Sequence, residues 1–389
     1  MSLVIIWWVL AFLTFYTYAG YPLLLWTLAR LRPRPVPCAD AQPAVSLIIA
    51  AHNEEICLRE KLENSLALNY PREKLEIIVA SDASTDGTNA IATEYAGRGV
   101  RLNAIPEHRG KSYAQNETVG LTTGEVFAFS DANSMYEPDA IAKLVRNFAD
   151  PNVGYVSGEL RYRKARSAIG AGEGMYWRYE TWIKRWESLT GNIINGNGAI
   201  YAVPRRHFIP VPEYTGADIW LPLAQIRRGL RTVHEPEAVA YEETAVTAAD
   251  EFGRKHRSIA RTLGALSENV SLLNPFRHGL VSLKLLSHRH LRYLVPIFVV
   301  LLFVLNFFLL QHPFFQVVMG LQAAFYLFAG IGAGLQTRGR SVLMFSMPYH
   351  FCVVNVAALK GALRFLRREK VRVWEKAPST RTHQSGGQQ

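Results

Sequence analysis

Cysteine is scarce in this 389-residue chain: Cys38, Cys57 and Cys352 are the only three, and neither paired nor metal-ligand spacing relates them. That argues against a disulfide framework and a cysteine zinc site, and fits a reducing compartment. No GxGxxG follows a strand-like run, which counts against a dinucleotide-dependent dehydrogenase. Gly110-Lys111-Ser112 mimics the end of a Walker phosphate loop, but Ile105 stands where the opening glycine belongs. HExxH and GxSxG are absent too, removing the zincin and nucleophile-elbow readings. Acidic residues are outnumbered, 32 Asp and Glu against 43 Lys and Arg, for a net charge of +11. Basic residues beside apolar runs mark cytosolic membrane flanks more often than nucleic-acid contacts, so no nucleic-acid partner is expected.

Charge itself is missing from Leu3 to Trp26. A helix needs about 20 apolar residues to cross the hydrocarbon, so this run is long enough to span. No basic segment precedes it, as a signal peptide would require, and Arg30, Arg32 and Arg34 follow it. The positive-inside bias then places the amino terminus outside and the following chain in the cytosol, with Pro33, Pro35 and Pro37 as a stiff linker. Three further apolar stretches, Tyr293 to Gln311, Phe314 to Leu335 and Ser341 to Leu359, lie near the carboxyl end. The first two read as a helical hairpin. Pro348, His350 and Asn355 interrupt the third, which is readable either as a span or as a re-entrant or interfacial segment. The expected organisation is a transmembrane helix at 1–29, a linker at 30–43, a soluble domain at 44–262 and interfacial helices at 263–290. A membrane region of two or three helices at 291–360 and a basic, partly disordered tail at 361–389 complete it.

The soluble stretch alternates strand-like and helix-like segments, which predicts an α/β domain. Val45 to Ala50, Leu75 to Ala80 and Val126 to Phe129 are short apolar runs, each ending in a polar loop, and Glu60 to Leu68 has helical spacing. Buried parallel strands with functional loops at their carboxyl ends follow from this pattern. Asp131 and Asn133, two apart after the third run, could hold a hard divalent cation through oxygen, although an Asx turn uses the same residues. Tyr176, Tyr179, Trp182, Ile183 and Trp186 recur at helical spacing, as core packing or as a face for membrane or sugar.

Taken in chain order, these motifs resemble a known family. The chain is similar to the family 2, inverting membrane glycosyltransferases of GT-A (Rossmann-like) fold, related to the synthases of cellulose, chitin, hyaluronan and poly-N-acetylglucosamine. The resemblance covers roughly 44–261 and the placing of the membrane helices. It implies that the loop Ala51, His52 and Glu54 lies against the nucleotide and that Asp82 accepts a hydrogen bond from the nucleobase, while Asp86 with Gly87 caps the following helix. It also implies that Lys111 approaches the donor phosphates, where a solvated surface lysine is equally readable. Asp131 and Asn133 match the metal-binding DxD, for Mg2+ or Mn2+, and Asp131 also faces the donor.

Gly196, Asn197 and Gly198 resemble the loop near the acceptor, and a plain tight turn would use the same glycines. The resemblance assigns the base to Asp218, although Ala217 replaces the first acid of the family's pair and N-capping is an alternative role. Arg254 and Arg257 fall where processive members carry QxxRW, of which only Arg257 survives; both are assigned to the acceptor or gate. The implied activity is metal-dependent transfer of a UDP-linked sugar to a polysaccharide or lipid-linked acceptor at the cytosolic face of the cell (inner) membrane, with membrane lipids and an export or assembly partner as further contacts. Single addition to a polyprenyl or other lipid is the alternative. A non-catalytic nucleotide-sensing or transport subunit is the rival from another class.

Overall fold

The computed structural model describes residues 2–162, 169–243, 248–338, 340 and 342–367; side chains of 169–177, 248–257 and 364–366 fall outside the described residues. Helices α1 (Ser2–Phe15) and α2 (Tyr21–Leu31) are joined by a π-helical turn at Tyr16–Gly20 into one 30-residue helix. At ~1.5 Å per residue it exceeds the hydrocarbon thickness of a bilayer.

An eight-stranded sheet follows. Its strands are β1 (Val45–Ala51), β2 (Leu75–Asp82), β3 (Val100–Ile105), β4 (Val126–Asp131), β5 (Met135–Tyr136), β6 (Val153–Tyr162), β7 (Ile200–Pro204) and β8 (Arg231–Glu242), in the order β3-β2-β1-β4-β7-β6-β8-β5. The first four strands are parallel, as their apolar runs predict. Beyond β4 the sheet becomes mixed: β7 is antiparallel to β4 and β6, β8 parallel to β6, and β5 antiparallel to β8. Alternate residues of one strand serve two cores. Leu47 and Ile49 join one cluster and Ile48 the other, with Phe127 and Phe129. Both faces are therefore buried, which explains the continuous apolar runs.

Around the sheet lie α3 (Glu55–Leu66), α4 (Thr88–Glu94), α5 (Lys111–Val119), α6 (Ala140–Val145), α7 (Ile169–Leu189) and α8 (Ala217–Arg227). Helix α3 starts five residues before the helical spacing detected at Glu60, because Glu54 O already accepts from Leu58 N at 2.9 Å. In its first turn Glu55 and Ile56 are exposed and Leu58 is fully buried, so apolar character there does not follow one face. On α7, Ile183 is fully buried against Tyr21 and Leu25, with Tyr179 and Trp186 beside it, so this face joins the domain to the amino-terminal helix. Trp182 is exposed, and the Tyr176 side chain lies outside the described residues.

The chain then continues through α9 (Ala248–Glu268), α10 (Pro275–His278), α11 (Leu280–Leu285), α12 (Leu291–Phe308), α13 (Pro313–Gln336) and α14 (Leu343–Leu366). A second π-helical turn, Leu286–His290, fuses α11 to α12, so Leu280–Phe308 is one helix running across residue 290. Among the described residues, three helices are long and apolar enough to cross a membrane: Ser2–Leu31, Leu280–Phe308 and Pro313–Gln336. Helix α14 carries Pro348 in its interior and is not one of them. Trp7 packs with Leu302, Leu309 and Phe315, tying the amino-terminal helix to the α12–α13 hairpin.

Candidate active site

Strand order reverses between β1 and β4, since β2 and β3 continue to one side of β1 and β4 lies on the other. In open parallel sheets the crevice at such a reversal, at the strand carboxyl ends, receives the ligand. Ala50 pairs with Asp131 across it. Ala51 is fully buried, and the chain then turns at Asn53, φ 53°, while Ala83 after β2 has φ 50°. Asparagine tolerates this left-handed region and alanine does so at a cost, so Ala83 must be held by its surroundings. Asn53 N donates to Ser84 Oγ at 3.0 Å and Thr85 N donates to Asn53 Oδ1 at 2.7 Å, which knits the two loops together. Glu54 is buried at the start of α3, with its N donating to Thr88 Oγ1 at 2.7 Å and the Cys57 thiol 3.2 Å from its carboxylate. Asp86 accepts from Thr88 N at 3.0 Å at the opening of α4.

Asp82 is buried and organises the next loop. Its carboxylate accepts from Arg109 N at 3.0 Å, Gly110 N at 2.8 Å and His108 Nδ1 at 2.8 Å. The His108 ring lies on that of His52, centroids 4.0 Å apart and planes at 13°. Gly110 has φ 97°, a conformation that suits glycine, and lets Lys111 begin α5. Lys111 Nζ donates to Gly198 O at 2.8 Å and is ion-paired with Asp131. This lysine is therefore enclosed by the site instead of lying in solvent. One buried carboxylate thus sets the loop that aims a cation across the crevice.

At the end of β4, Asp131 is half-buried and Asn133 exposed. The turn closes through Ser134 N on Asp131 O at 3.2 Å, while the carboxylate faces Lys111. Beneath it Lys61, fully buried, donates to Ser134 O at 2.5 Å and lies 4.0 Å above the Tyr136 ring. Burial pushes its ammonium down to about 7, against the pull of Asp131 and Glu242. Ser134 Oγ in turn donates to the Glu242 carboxylate.

A carboxylate and an amide oxygen at an open mouth suit a hard divalent cation that keeps other ligands from water and diphosphate. His52, Asp82 and His108 also bring three ligand-type atoms within 4.8 Å of one another. There the carboxylate already takes two backbone N–H groups and an imidazole, and the two rings lie face to face, so that trio fits a metal less well.

The opposite wall comes from the chain after α7. Gly196 N donates to Asp218 O at 2.6 Å, and a Cβ at residue 196 would stand 2.0 Å from the Tyr155 hydroxyl oxygen, so only glycine fits. Lys184 Nζ donates to Gly196 O at 2.9 Å, and Asn197 Oδ1 accepts from Ala199 N at 3.3 Å. Asp218, the second residue of α8, borders the same cavity of about 650 Å³ as Asp131, Gly196, Asn197, Gly198 and Glu242. His52, Glu54 and Asp82 are not on that cavity; they lie along the crevice and connect to it through Lys111. Arg254 and Arg257 are on α9, and their side chains lie outside the described residues. Lys61, His108, Lys184 and Glu242 were not picked out in the sequence. Glu242 had a readable signal, an apolar strand ending in acids as β2 and β4 do, but the other three act through distant backbone or side-chain partners.

A mixed sheet with its ligand crevice at the β1–β4 reversal, backed by helices at both ends, defines a GT-A-type domain. Residues 46–207 match the model for Glycosyl transferase family 2, and this segment of the chain is a domain of that family. The Bacillus subtilis (strain 168) protein named "Probable glycosyltransferase YdaM" is 31% identical over 175 residues, 43% of this chain and 41% of that protein. The poly-beta-1,6-N-acetyl-D-glucosamine synthase of Staphylococcus aureus (strain COL) is 27% identical over 218 residues, 54% of this chain and 52% of its own length. The chain thus spans about half the length of the curated relatives it matches. A mannosyltransferase from Pyrobaculum calidifontis, solved with GDP-Man and Mn2+, superposes with a TM-score of 0.71 at 21% identity, over 94% of this chain and 99% of that one. This last likeness extends the shared fold to the membrane helices.

Proposed function

We propose that the chain is an inverting, metal-dependent glycosyltransferase that takes its sugar from a nucleotide-diphosphate donor, UDP-linked, and works at the cytosolic face of the cell membrane. The observation that carries this reading is the placing of Asp131 and Asp218 on one cavity, with Lys111 reaching Asp131 and Gly198 between them. In this reading the nucleoside lies along the crevice from His52 and Asp82, and its diphosphate reaches Lys111. A divalent cation, Mg2+ or Mn2+, held by Asp131 and Asn133, supplies charge neutralisation for the departing diphosphate. Asp218 accepts the proton of the acceptor hydroxyl as its oxygen bonds to the anomeric carbon from the opposite face. The anomeric C–O bond to the diphosphate breaks, and its electron pair leaves with the nucleotide. Gly196, Asn197 and Gly198 present backbone beside that carbon, and Arg254 and Arg257 are assigned to the gate.

The acceptor is a glycan or a lipid-linked molecule drawn from the membrane side of the cavity. The test is release of nucleoside diphosphate from a panel of nucleotide sugars by the purified full chain, with Mg2+ or Mn2+ and then with chelator. Release from one donor that chelator abolishes is the expected result. No release from any donor, with membrane lipid present, would turn the reading towards a nucleotide-sensing or transport subunit.

A further inference from the structure

A second cavity, of about 470 Å³, lies where the helices Ser2–Leu31 and Leu280–Phe308 meet the domain. Its lining mixes cations with hydrocarbon: Arg32, Arg34, His278 and Lys284 share it with Leu28 and Val281, and none of the described residues bordering it is acidic. The backbone holds this wall in place. Arg34 N donates to Leu189 O at 2.7 Å and the Arg231 guanidinium donates to Arg34 O at 2.7 Å, so the chain leaving α2 is tied to the end of α7 and to β8.

The four basic groups are not alike. Lys284 Nζ donates to Glu187 O and Asn192 O, each at 2.8 Å, which uses most of that ammonium's donors, and the Glu187 carboxylate acts on its charge. Arg32 and Arg34 are exposed, and neither guanidinium has a hydrogen bond or ion pair among the described residues. In bulk water two solvated arginines would need nothing more.

Their depth places them elsewhere. Trp7 packs with Leu309 and Phe315, on either side of the turn that closes the α12–α13 hairpin, so it is level with the far end of the membrane helices. From Trp7 the helix rises about 29 Å to Trp26 and about 37 Å to Arg32, at ~1.5 Å per residue. The hydrocarbon is about 30 Å thick, and the bilayer about 40–45 Å with its headgroups. Trp26, with the Arg30 guanidinium 4.8 Å from its ring, thus stands at the hydrocarbon boundary, and Arg32 stands in the headgroup layer on the domain side. The apolar rim agrees with this level. Leu31 is 73% exposed and Phe276, two residues before His278, is 98% exposed. A phenylalanine so open is unfavourable in water, whereas an apolar side chain beside cations is the composition of a surface that enters the bilayer interface.

We infer that this cavity binds the phosphate of an anionic membrane phospholipid: Arg32 and Arg34 meet the phosphate oxygens, Leu28 and Val281 meet the start of the acyl chains, and Phe276 enters the interface beside them. The lipid is a bound ligand and not a substrate, so the site stands apart from the transferase cavity and does not rest on that reading. Each guanidinium offers a fork of N–H donors that matches phosphate geometry. A zwitterionic phospholipid carries its own cation in among these, so a net negative headgroup is preferred. A soluble phosphate meets the same arginines but makes no use of Leu31 and Phe276. Once bound, the lipid bridges the end of α2 and the α10–α11 segment and braces the domain against its membrane helices.

The test uses the full chain in neutral detergent with phosphatidylglycerol or phosphatidylcholine added, and counts retained lipids by native mass spectrometry. The parent chain should hold one phosphatidylglycerol at least about 10-fold more tightly than phosphatidylcholine. Arg32→Gln with Arg34→Gln should weaken that binding by about 10- to 30-fold. Arg338→Gln with Arg340→Gln removes the same charge from exposed arginines after α13, outside this cavity, and should change it by less than about threefold. Phe276→Ser should weaken it as well, and equal melting of all variants without added lipid checks their folding. Equal loss in the two arginine pairs would overturn the site in favour of diffuse attraction to the membrane. Equal retention of phosphatidylcholine, or no retained lipid in the parent, would overturn the anionic phospholipid. Displacement by inorganic phosphate at the lipid's own concentration would overturn the membrane source and leave a soluble-phosphate pocket. Unchanged binding in folded Phe276→Ser would contradict the placing of that side chain.

Discussion

Around Asp82 and Asp131 the polar side chains sit on loops after parallel strands and bind backbone N–H groups and each other across the crevice. Around Lys184 and His288 they sit inside helices and bind one another in a buried ionic cluster. The first region follows from local chain order, since each strand delivers its own loop to the same edge. The second exists only when α7, the amino-terminal helix and the helix at 280–308 have come together. Substitutions near the crevice should therefore act mainly on nucleotide binding, and substitutions in the cluster mainly on stability and the acceptor.

Glu187→Ala should have the largest effect of those that separate the two regions. Burial alone would raise the Glu187 carboxyl, but His288, Lys284 and Tyr21 together hold it below the usual range. Its loss leaves buried cations uncompensated, at a cost of about 3–5 kcal/mol. Thermal unfolding of the detergent-solubilised chain should show it as a lowered Tm, with donor affinity kept in the folded fraction. Asp131→Ala should come next, weakening nucleotide binding in the presence of metal and turnover together by about 2–4 kcal/mol, seen by calorimetry and by nucleotide release. Asp82→Ala frees Arg109 N and Gly110 N and releases the loop that aims Lys111. Donor affinity should fall by roughly 1–3 kcal/mol with little change in acceptor KM.

The smallest effect is a pH dependence. His234 is buried, with its Nδ1 3.2 Å from Ser157 O, and burial with nearby Lys184 pushes its pKa down to about 3. The unfolded chain takes up a proton there near pH 6.5 and the folded chain does not, so this group's share of stability is intact above about 6.5 and is lost as pH falls towards 3. The slope is at most about 1.4 kcal/mol per pH unit. Melts between pH 7.5 and 5 should be less pH-dependent in His234→Gln than in the parent chain.

The same contrast explains what the sequence made readable. Val45 to Ala50, Leu75 to Ala80 and Val126 to Phe129 announce buried strands because both faces are covered, and the polar loops after them follow in local order. Lys61 looks like any helix lysine until Ser134, 73 residues on, supplies its carbonyl, and Ser134 in turn depends on Glu242, 108 residues further. His108 gains meaning only from Asp82 and the His52 ring. Apolar pattern alone divided 263–290 from the membrane region, whereas the helix runs unbroken from Leu280 to Phe308, because Lys284 and His288 are satisfied by Glu187, Asn192 and Glu180 of the domain and need no water.

The central claim is that donor binding and acceptor activation are separate tasks on one cavity, held by Asp131 and Asp218. The measurement that addresses it most directly is nucleotide affinity and turnover, on the same preparation with metal and acceptor, for Asp218→Asn against the parent chain. The account predicts a kcat lower by about 10²–10⁴ with nucleotide affinity within about twofold. Retained turnover, or a nucleotide affinity lost in proportion to kcat, would contradict it.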